Sequence, residues 1–407
     1  MSGPLAQLRV LDLSRVLAGP WATQYLADMG AEVIKIERPG TGDDTRQWGP
    51  PWAQPPSEGD PGLSAYTLAT NRGKRSLALD LTTSEGQHLL RQLARRADVL
   101  VENFKVGALA RYGLDAASLT ALNPRLIYCS ITGFGQSGPY AQRAGYDFLI
   151  QAMGGLMSIT GAPDADGGEP MKVGVAISDL LTGLYATAAI LTALAQRERT
   201  GKGEVIDMAL LDCTVAALAN QATNFLVSGR TPERLGNAHP NVVPYRVFRT
   251  ADGFMILAIG NDGQFRRFCR AAGCDELAGD PRFRTNAGRV EHRAELIEAL
   301  ERRIEHDTTV AWMELLEPVG VPCGPINDLA AVFADPQVQA RGLERRLDHP
   351  AAGPLRLVAN PVRFASVTTT ADRPPPKLGA DTDGVLGEIL GLDAVEVARL
   401  RAAGVIG

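Results

Sequence analysis

Asp179 is the residue whose surroundings best suit covalent chemistry. It lies in KVGVAISDLLTGLYATAAILTALA, where almost every neighbour is apolar or small. Ser178 and Asp179 fall where a helix should begin, so the carboxylate can serve as a plain N-cap. A carboxylate half-buried beside backbone amides can also attack as a nucleophile. The segment alone leaves both readings open.

A second group suits polyanions. Arg38 closes a strand-like run, and Arg72, Lys74 and Arg75 lie in TNRGKRS just before another. Asn103 and Phe104 end a third, and Arg111 follows about two helical turns later. Open parallel sheets collect ligands at strand ends. Arginine grips phosphate through paired donors. The cluster therefore fits a ligand with several phosphates, or else an ordinary solvated rim.

Other signatures are weaker. GFGQSG at 133–138 spells GxGxxG after a strand, but Pro139 and Tyr140 stand where a helix should start. It reads as a tight loop and not as a dinucleotide fingerprint. The first β-α-β unit ends in Glu37, yet its loop, SRVLAGP, lacks the glycine pattern. His88, His292, His306 and His349 lie in charged stretches and read as surface groups. His239 sits apart, in the loop GNAHPNVVPY. No His, Cys or acidic set has metal-ligand spacing. No GxSxG elbow occurs.

The elements that must position these residues alternate. LRVLDL and EVIKIE flank a helical stretch, TQYLADMGA, and predict a right-handed β-α-β unit. KRSLALDL, ADVLVENF and RLIYCSITGFG continue the strands through residue 135, so the fold class is α/β with a buried sheet. Asp179 opens a long helix ending near Gly201. Residues 228–244 read as a linker, and YRVFRTADGFMILAIG as a hairpin. These features predict a smaller α+β domain over 223–325.

Composition sets the class. The chain has 407 residues, 45% hydrophobic and 21% charged, which supports a large core and excludes a disordered protein. Its net charge of −5 argues against non-specific nucleic-acid binding. The five cysteines are scattered without a CxxC pair and read as reduced thiols of a cytoplasmic protein. The opening MSGPLAQLRVLDLSRV lacks a secretory pattern. The apolar run at 180–195 is shorter than a membrane span and reads as a buried helix.

The motifs also occur together and in order. VLDLSRVLAGPWATQYLADMGAEVIKIERPGTGDDTR, NRGKRSLALDL, DVLVENFKVGALARYGL, NPRLIYCSITGFGQSGP, RAGYDFLIQAMGGLMSITG, GVAISDLLTGLYA and LGADTDGVLGEILGL follow one another along nearly the whole chain. The series resembles the family III CoA-transferases. RAGYD, GNAHPNVVPY and GVPCGPIND look closest to members that move CoA from succinyl-CoA to a short dicarboxylate such as glutarate. The resemblance implies a large Rossmann-like domain over 1–222 and 326–407, with its parallel sheet formed by both chain ends. It also implies an interlocked, ring-like homodimer. No permanently bound cofactor is implied, and coenzyme A thioesters are the substrates.

Carried over by position, the family's nucleophile falls on Asp179. Its CoA contacts fall on Leu17, Ala18, Arg38, Asn71 to Lys74 with Arg75 adjoining, Asn103, Phe104, Lys105, Arg111, and Ala144 to Asp147, which includes Gly145 and Tyr146. The acceptor acid is assigned to His239, Asn241 and Arg246, with Arg15 and Arg143 as alternatives. The family's formyl-CoA members carry a glycine run where GNAHPNVV stands, and a glutamine where Leu17 stands, so an oxalate-type acceptor is disfavoured. The related 2-methylacyl-CoA racemases have a histidine where Tyr146 stands. Losing that second base disfavours the racemase alternative.

Overall fold

The computed structural model describes residues 3–367, 369 and 371–407. Contacts divide the chain into two compact units: Met1–Leu156 with Val173–Leu226 and Gln337–Gly407, and Met157–Lys172 with Val227–Pro336.

The first unit is built on short, β-branched strands. In chain order they are β1 (Arg9–Asp12), β2 (Glu32–Glu37), the small pair β3 (Trp52–Gln54) and β4 (Leu63–Ser64), β5 (Arg75–Ala78), β6 (Val99–Glu102), β7 (Ile127–Thr132) and β8 (Val205–Ala209). Six of them form one sheet in the order β5-β2-β1-β6-β7-β8, and every pair in it is parallel. This is the Rossmann strand order. The chain moves outward from β1 on one side and from β6 on the other, so the order reverses between β1 and β6. Ligands of open α/β sheets bind at the carboxyl ends beside such a switch point.

Helices cover both faces. They are α1 (Ala18–Asp28), α3 (Ser84–Ala94), α4 (Ala116–Leu122), α5 (Asp147–Met153), α6 (Ile177–Thr200) and α7 (Leu210–Ala217), while α2 (Ala65–Thr70) and α8 (Ala219–Ser228) lie outside the two core layers on the sheet. Strand periodicity splits the core. Leu11, Ile34, Leu77 and Leu100 face α3 and the C-terminal helices through Leu90, Leu93, Val385 and Leu400. Val10, Val33, Val99 and Ile127 face α1 and α6 through Ala22, Leu26, Ala186 and Ile190.

Two expectations are corrected here. The sheet is not formed by both chain ends, because all six of its strands lie between residues 9 and 209. The C-terminal segment closes the β5 edge instead. Asp381 accepts from Ser76 N at 2.9 Å, Thr382 Oγ1 accepts from Ala78 N at 3.2 Å, and Leu79 bridges Ile406. Such cover satisfies an edge that would otherwise pair with another chain. Secondly, α6 is buried only along one stripe, which includes Ser178, Thr182, Gly183, Ala186 and Ile190. Leu184 and Tyr185 are exposed. By length and hydropathy alone α6 could cross a membrane; its stripe is spent on the sheet and α1. Gly183 permits that contact, since a Cβ there would lie 2.7 Å from the Ala18 carbonyl oxygen.

The second unit carries the expected hairpin, Tyr245–Thr250 with Gly253–Ala258, which joins Cys323–Pro325 in an antiparallel sheet. Phe248, Met255, Phe265, Phe268 and Trp312 fill its core.

Candidate active site

The turn from β1 into α1 is held at successive peptides. Asp12 accepts from Ser14 N at 3.0 Å, from Thr23 Oγ1 at 2.7 Å and from Lys74 Nζ at 2.8 Å. Asn103, just past β6, accepts from Arg15 N at 2.9 Å and donates to Arg15 O at 2.8 Å. Val16 stands at φ 70. For a β-branched residue that conformation costs about 1–3 kcal/mol and must be imposed from outside. The Val16 amide points between both oxygens of Asp43, at 3.2 Å from each.

The charges beneath the turn are paired. Lys35 Nζ lies 2.9 Å from Asp43, with both side chains almost fully buried at 0% and 1% exposure. Glu37 grips Arg46 through two bonds of 2.7 and 2.8 Å. Burial alone would raise the Asp12 carboxyl, but the Lys74 and Lys35 ammonium groups outweigh it and hold the acid well below its ordinary range.

Asp179 sits in the first turn of α6. It is not the N-cap; that position is Ala176, which has no side chain to offer. Asp147, at the start of α5, does the capping from outside. Its Oδ1 accepts from Ser178 N at 2.8 Å and from Asp179 N at 3.3 Å, and its Oδ2 accepts from Gln151 Nε2 at 2.7 Å. Burial, and then the Asp147 carboxylate, push the Asp179 pKa up to about 7. The loop carrying Tyr146 lies against the end of β7 because two glycines meet there. A Cβ on Gly145 would come within 2.3 Å of Gly133 Cα.

Asp179 opens into a cavity of about 190 Å3. Its lining includes Arg15 to Ala18, Asn103 to Val106, Gly133 and Ala141 to Asp147. A neighbouring cavity of about 270 Å3 shares Arg15, Asp44 and Phe104 with it. There Arg38 and Arg111 face Leu81, Thr82 and Tyr112. Together they make one cleft along the carboxyl ends of β1, β2, β5 and β6. Among the described residues, Arg38, Lys105, Arg111 and Arg143 have no carboxylate within ion-pair distance, whereas the buried cations below are all paired. Arg143 lies over the rings of Phe134 and Tyr140, at 5.3 and 4.6 Å from their centres. A cleft with a poised carboxylate at one end and unpaired cations along its length suits a long anionic substrate that undergoes acyl transfer.

The sequence matches a family model described as CoA-transferase family III over residues 5–382. The chain belongs to this family. The transferase is 54% identical over 391 residues to the succinate–glutarate CoA-transferase of Agrobacterium fabrum, covering 95% of this chain and 96% of that protein. It is 44% identical over 403 residues to the succinyl-CoA:glutarate CoA-transferase of Homo sapiens, covering 99% and 90%. A solved structure of a CAIB/BAIF family protein from Brucella suis superposes with a TM-score of 0.82 at 51% identity, covering 96% of this chain and all of that one.

The structure sorts the residues expected at the transferase's site. Leu17, Ala18, Arg38, Asn103, Phe104, Lys105, Arg111, Gly145, Tyr146, Asp147 and Asp179 all line the cleft. Residues 71–75 do not. Arg72 is buried against Asp28 and the Val358 carbonyl. Lys74 is buried against Asp12, Asn71 and the Pro20 carbonyl. Asn71 is fully buried, and Arg75 pairs with Glu32 and Glu388 at the amino end of β5. Parallel strands present their carboxyl ends to the cleft, so the stretch after β5, Leu79 to Thr82, takes the place assigned to the stretch before it.

His239, Asn241 and Arg246 lie in the second unit. His239 Nδ1 accepts from Asn241 N at 3.0 Å, closing a turn. Arg246 lies 3.5 Å from Glu301 and donates to the Val247 carbonyl. His349 is not a surface group. It is 4% exposed and accepts from Ala351 N and Ala352 N.

One neighbour of the site escaped the sequence reading. Tyr66, packed edge-on against Trp48, has its hydroxyl pushed up to about 12 by burial and by the Asp179, Asp147 and Asp43 carboxylates. It stays a neutral donor at working pH. No local signal marks it, because only the fold brings α2 to those acids.

Proposed function

We propose that the transferase moves CoA from succinyl-CoA to glutarate through an aspartyl-CoA thioester on Asp179. The observation that carries this reading is the half-buried Asp179 facing a cleft lined with unpaired cations. The names of the relatives support the two acids.

The nucleotide end of CoA belongs in the 270 Å3 cavity, where Arg38 and Arg111 can meet phosphates and Tyr112 offers a flat face. The thioester arm passes Phe104 and Arg15 to reach Asp179. An Asp179 oxygen attacks the succinyl carbonyl, the C–S bond breaks, and CoA thiolate leaves a succinyl–aspartyl anhydride. The thiolate attacks the aspartyl carbonyl and releases succinate. Glutarate then attacks the aspartyl-CoA thioester and expels the thiolate, which attacks the glutaryl carbonyl of the new anhydride. Glutaryl-CoA departs and the Asp179 carboxylate is restored. No net proton is consumed. The site must exclude water, because both intermediates hydrolyse.

For the distal carboxylate of the acceptor, Arg143 is favoured over His239, Asn241 and Arg246. It lines the same cavity as Asp179 and has no acidic partner among the described residues. Exposed apolar residues near the site, Tyr146, Phe148, Leu184 and Tyr185, support the interlocked homodimer reading. The five free thiols, four of them buried, support a reducing compartment, read here as the cytoplasm.

The test is direct. Purified protein is mixed with succinyl-CoA and a panel of acids, and new thioesters are read by mass spectrometry. Wild type should form glutaryl-CoA, and Asp179→Ala should form none. Equal exchange by Asp179→Ala would sink the nucleophile assignment. Deuterium uptake at the α-carbon of a 2-methylacyl-CoA, without transfer to any acid, would favour a racemase.

A further inference from the structure

We propose that Asp43, anchored by Lys35, is a positioning residue for the transfer: it holds the left-handed Val16 peptide that presents Leu17 and Ala18 to the Asp179 cavity. The proposal rests on the assignment of Asp179 as nucleophile.

Val16 is one of two non-glycine residues at positive φ among the described residues. A β-branched side chain leaves that region unless something holds it. The Asp43 carboxylate does so, accepting from the Val16 amide with both oxygens. Lys35 fixes the carboxylate in turn. Its ammonium lies 2.9 Å from Asp43 Oδ2 and donates to the Ser14 carbonyl at 2.9 Å, so one cation ties the acid to the turn two residues upstream. The same carboxylate accepts from Thr45 N at 3.0 Å and from Thr45 Oγ1 at 3.0 Å, which fixes it within the loop after β2.

The placement separates this role from catalysis. Val16, Leu17, Ala18 and Asp179 line one cavity. Lys35 lines neither cavity of the cleft, and Asp43 borders only the one assigned to the nucleotide. Without the carboxylate, Val16 relaxes to negative φ and the Leu17 and Ala18 peptides turn away from the acyl group on Asp179. The defect then falls on kcat more than on KM for the acyl-CoA.

Steady-state transfer from succinyl-CoA to glutarate by wild type, Asp43→Ala, Val16→Gly and the double variant tests the idea. Misplacement of this kind costs on the order of 10- to 100-fold in kcat. Asp43→Ala, which leaves no acceptor for the Val16 amide, should show that loss with KM for succinyl-CoA changed less than about threefold. In the Val16→Gly background the same substitution should cost less than about threefold, because glycine reaches φ 70 without a tether. An equal factor in both backgrounds, or a loss confined to KM, overturns the proposal. Should Asp43→Ala not fold with Val16 in place, recovery of folded protein in the Val16→Gly background counts as the rescue, and failure to recover it overturns the proposal. Asp179→Ala runs alongside. If it stays active, the nucleophile assignment fails; if it is dead while the Asp43 losses are equal, only the clamp fails.

Discussion

The backbone amide of Asp179 lies 3.3 Å from a carboxylate oxygen of Asp147, which also accepts from Ser178 N at 2.8 Å. One acid thus caps the helix that carries the other. The cap fixes the backbone of Asp179, and its negative charge raises the proton affinity of the side chain it positions.

The first prediction is a pH profile. Asp179 attacks as a carboxylate, so kcat/KM for succinyl-CoA should rise through pH 7 and level off above it. Asp147→Asn keeps an oxygen for Ser178 N and Asp179 N but removes the charge. Its rising limb should move to lower pH. A limb that stays in place or moves up would contradict the electrostatic coupling.

The second prediction is a stability cost at the same residue. The folded-state pKa, about 7, lies above the ordinary 3.8. Between those values the folded protein keeps a proton that the unfolded chain has lost, so wild type loses stability as pH rises across that window. Asp179→Asn has no such loss. Its Tm should exceed that of wild type by about 2 °C or more at pH 8 and converge with it near pH 4. Thermal unfolding at a series of pH values decides this.

The third concerns the ion pair beneath the turn. Lys74 and Asp12 are both 0% exposed. Lys74→Met strands a buried carboxylate and should cost about 3–5 kcal/mol in urea unfolding. Adding Asp12→Asn removes the stranded charge and should return more than half of that loss. Additive losses in the double variant would show that the pair is not a unit.

The fourth is steric. Gly145→Ala places a Cβ within 2.3 Å of Gly133 Cα, backbone against backbone. It should destabilise the protein by about 1–3 kcal/mol and displace Tyr146. Transfer activity should fall at least about tenfold, as read in the glutarate assay.

The fifth tests the acceptor cation. A charge-assisted bond is worth about 1.5–3 kcal/mol, so Arg143→Gln should raise KM for glutarate by about 10- to 100-fold. KM for butyrate, which lacks the distal carboxylate, should hardly move. Equal effects on both acids would remove Arg143 from acceptor recognition.

Much of the first unit was legible in the sequence. The alternating strands through β7, the helix after Asp179 and the late hairpin follow from local periodicity and turn residues. That Arg38, Asn103 and Arg111 line the cleft was readable from the rule that parallel strands open their carboxyl ends to ligands. Residues 71–75 sit at the opposite, amino end of β5. A basic stretch before a strand looks the same in one dimension as one after it, yet only the carboxyl end faces the cleft. Asp179 read as a possible N-cap because capping residues are judged from neighbours in the chain. The real cap, Asp147, comes from 32 residues away.

The sequence by itself determined that this is an α/β protein, that Asp179 opens an apolar helix, and that the chain belongs among CoA-transferases. Those properties reside in short segments and their order. Only the tertiary structure decided which charges are spent and which are free. Lys74 and Arg72 are buried against acids from distant segments, Asp12 and Asp28, and Lys35 against Asp43 of the loop that follows it, whereas Arg38, Arg111 and Arg143 stay open to the cleft. Ion pairing is a property of distance in space, and burial sets its strength; neither is written in spacing along the chain.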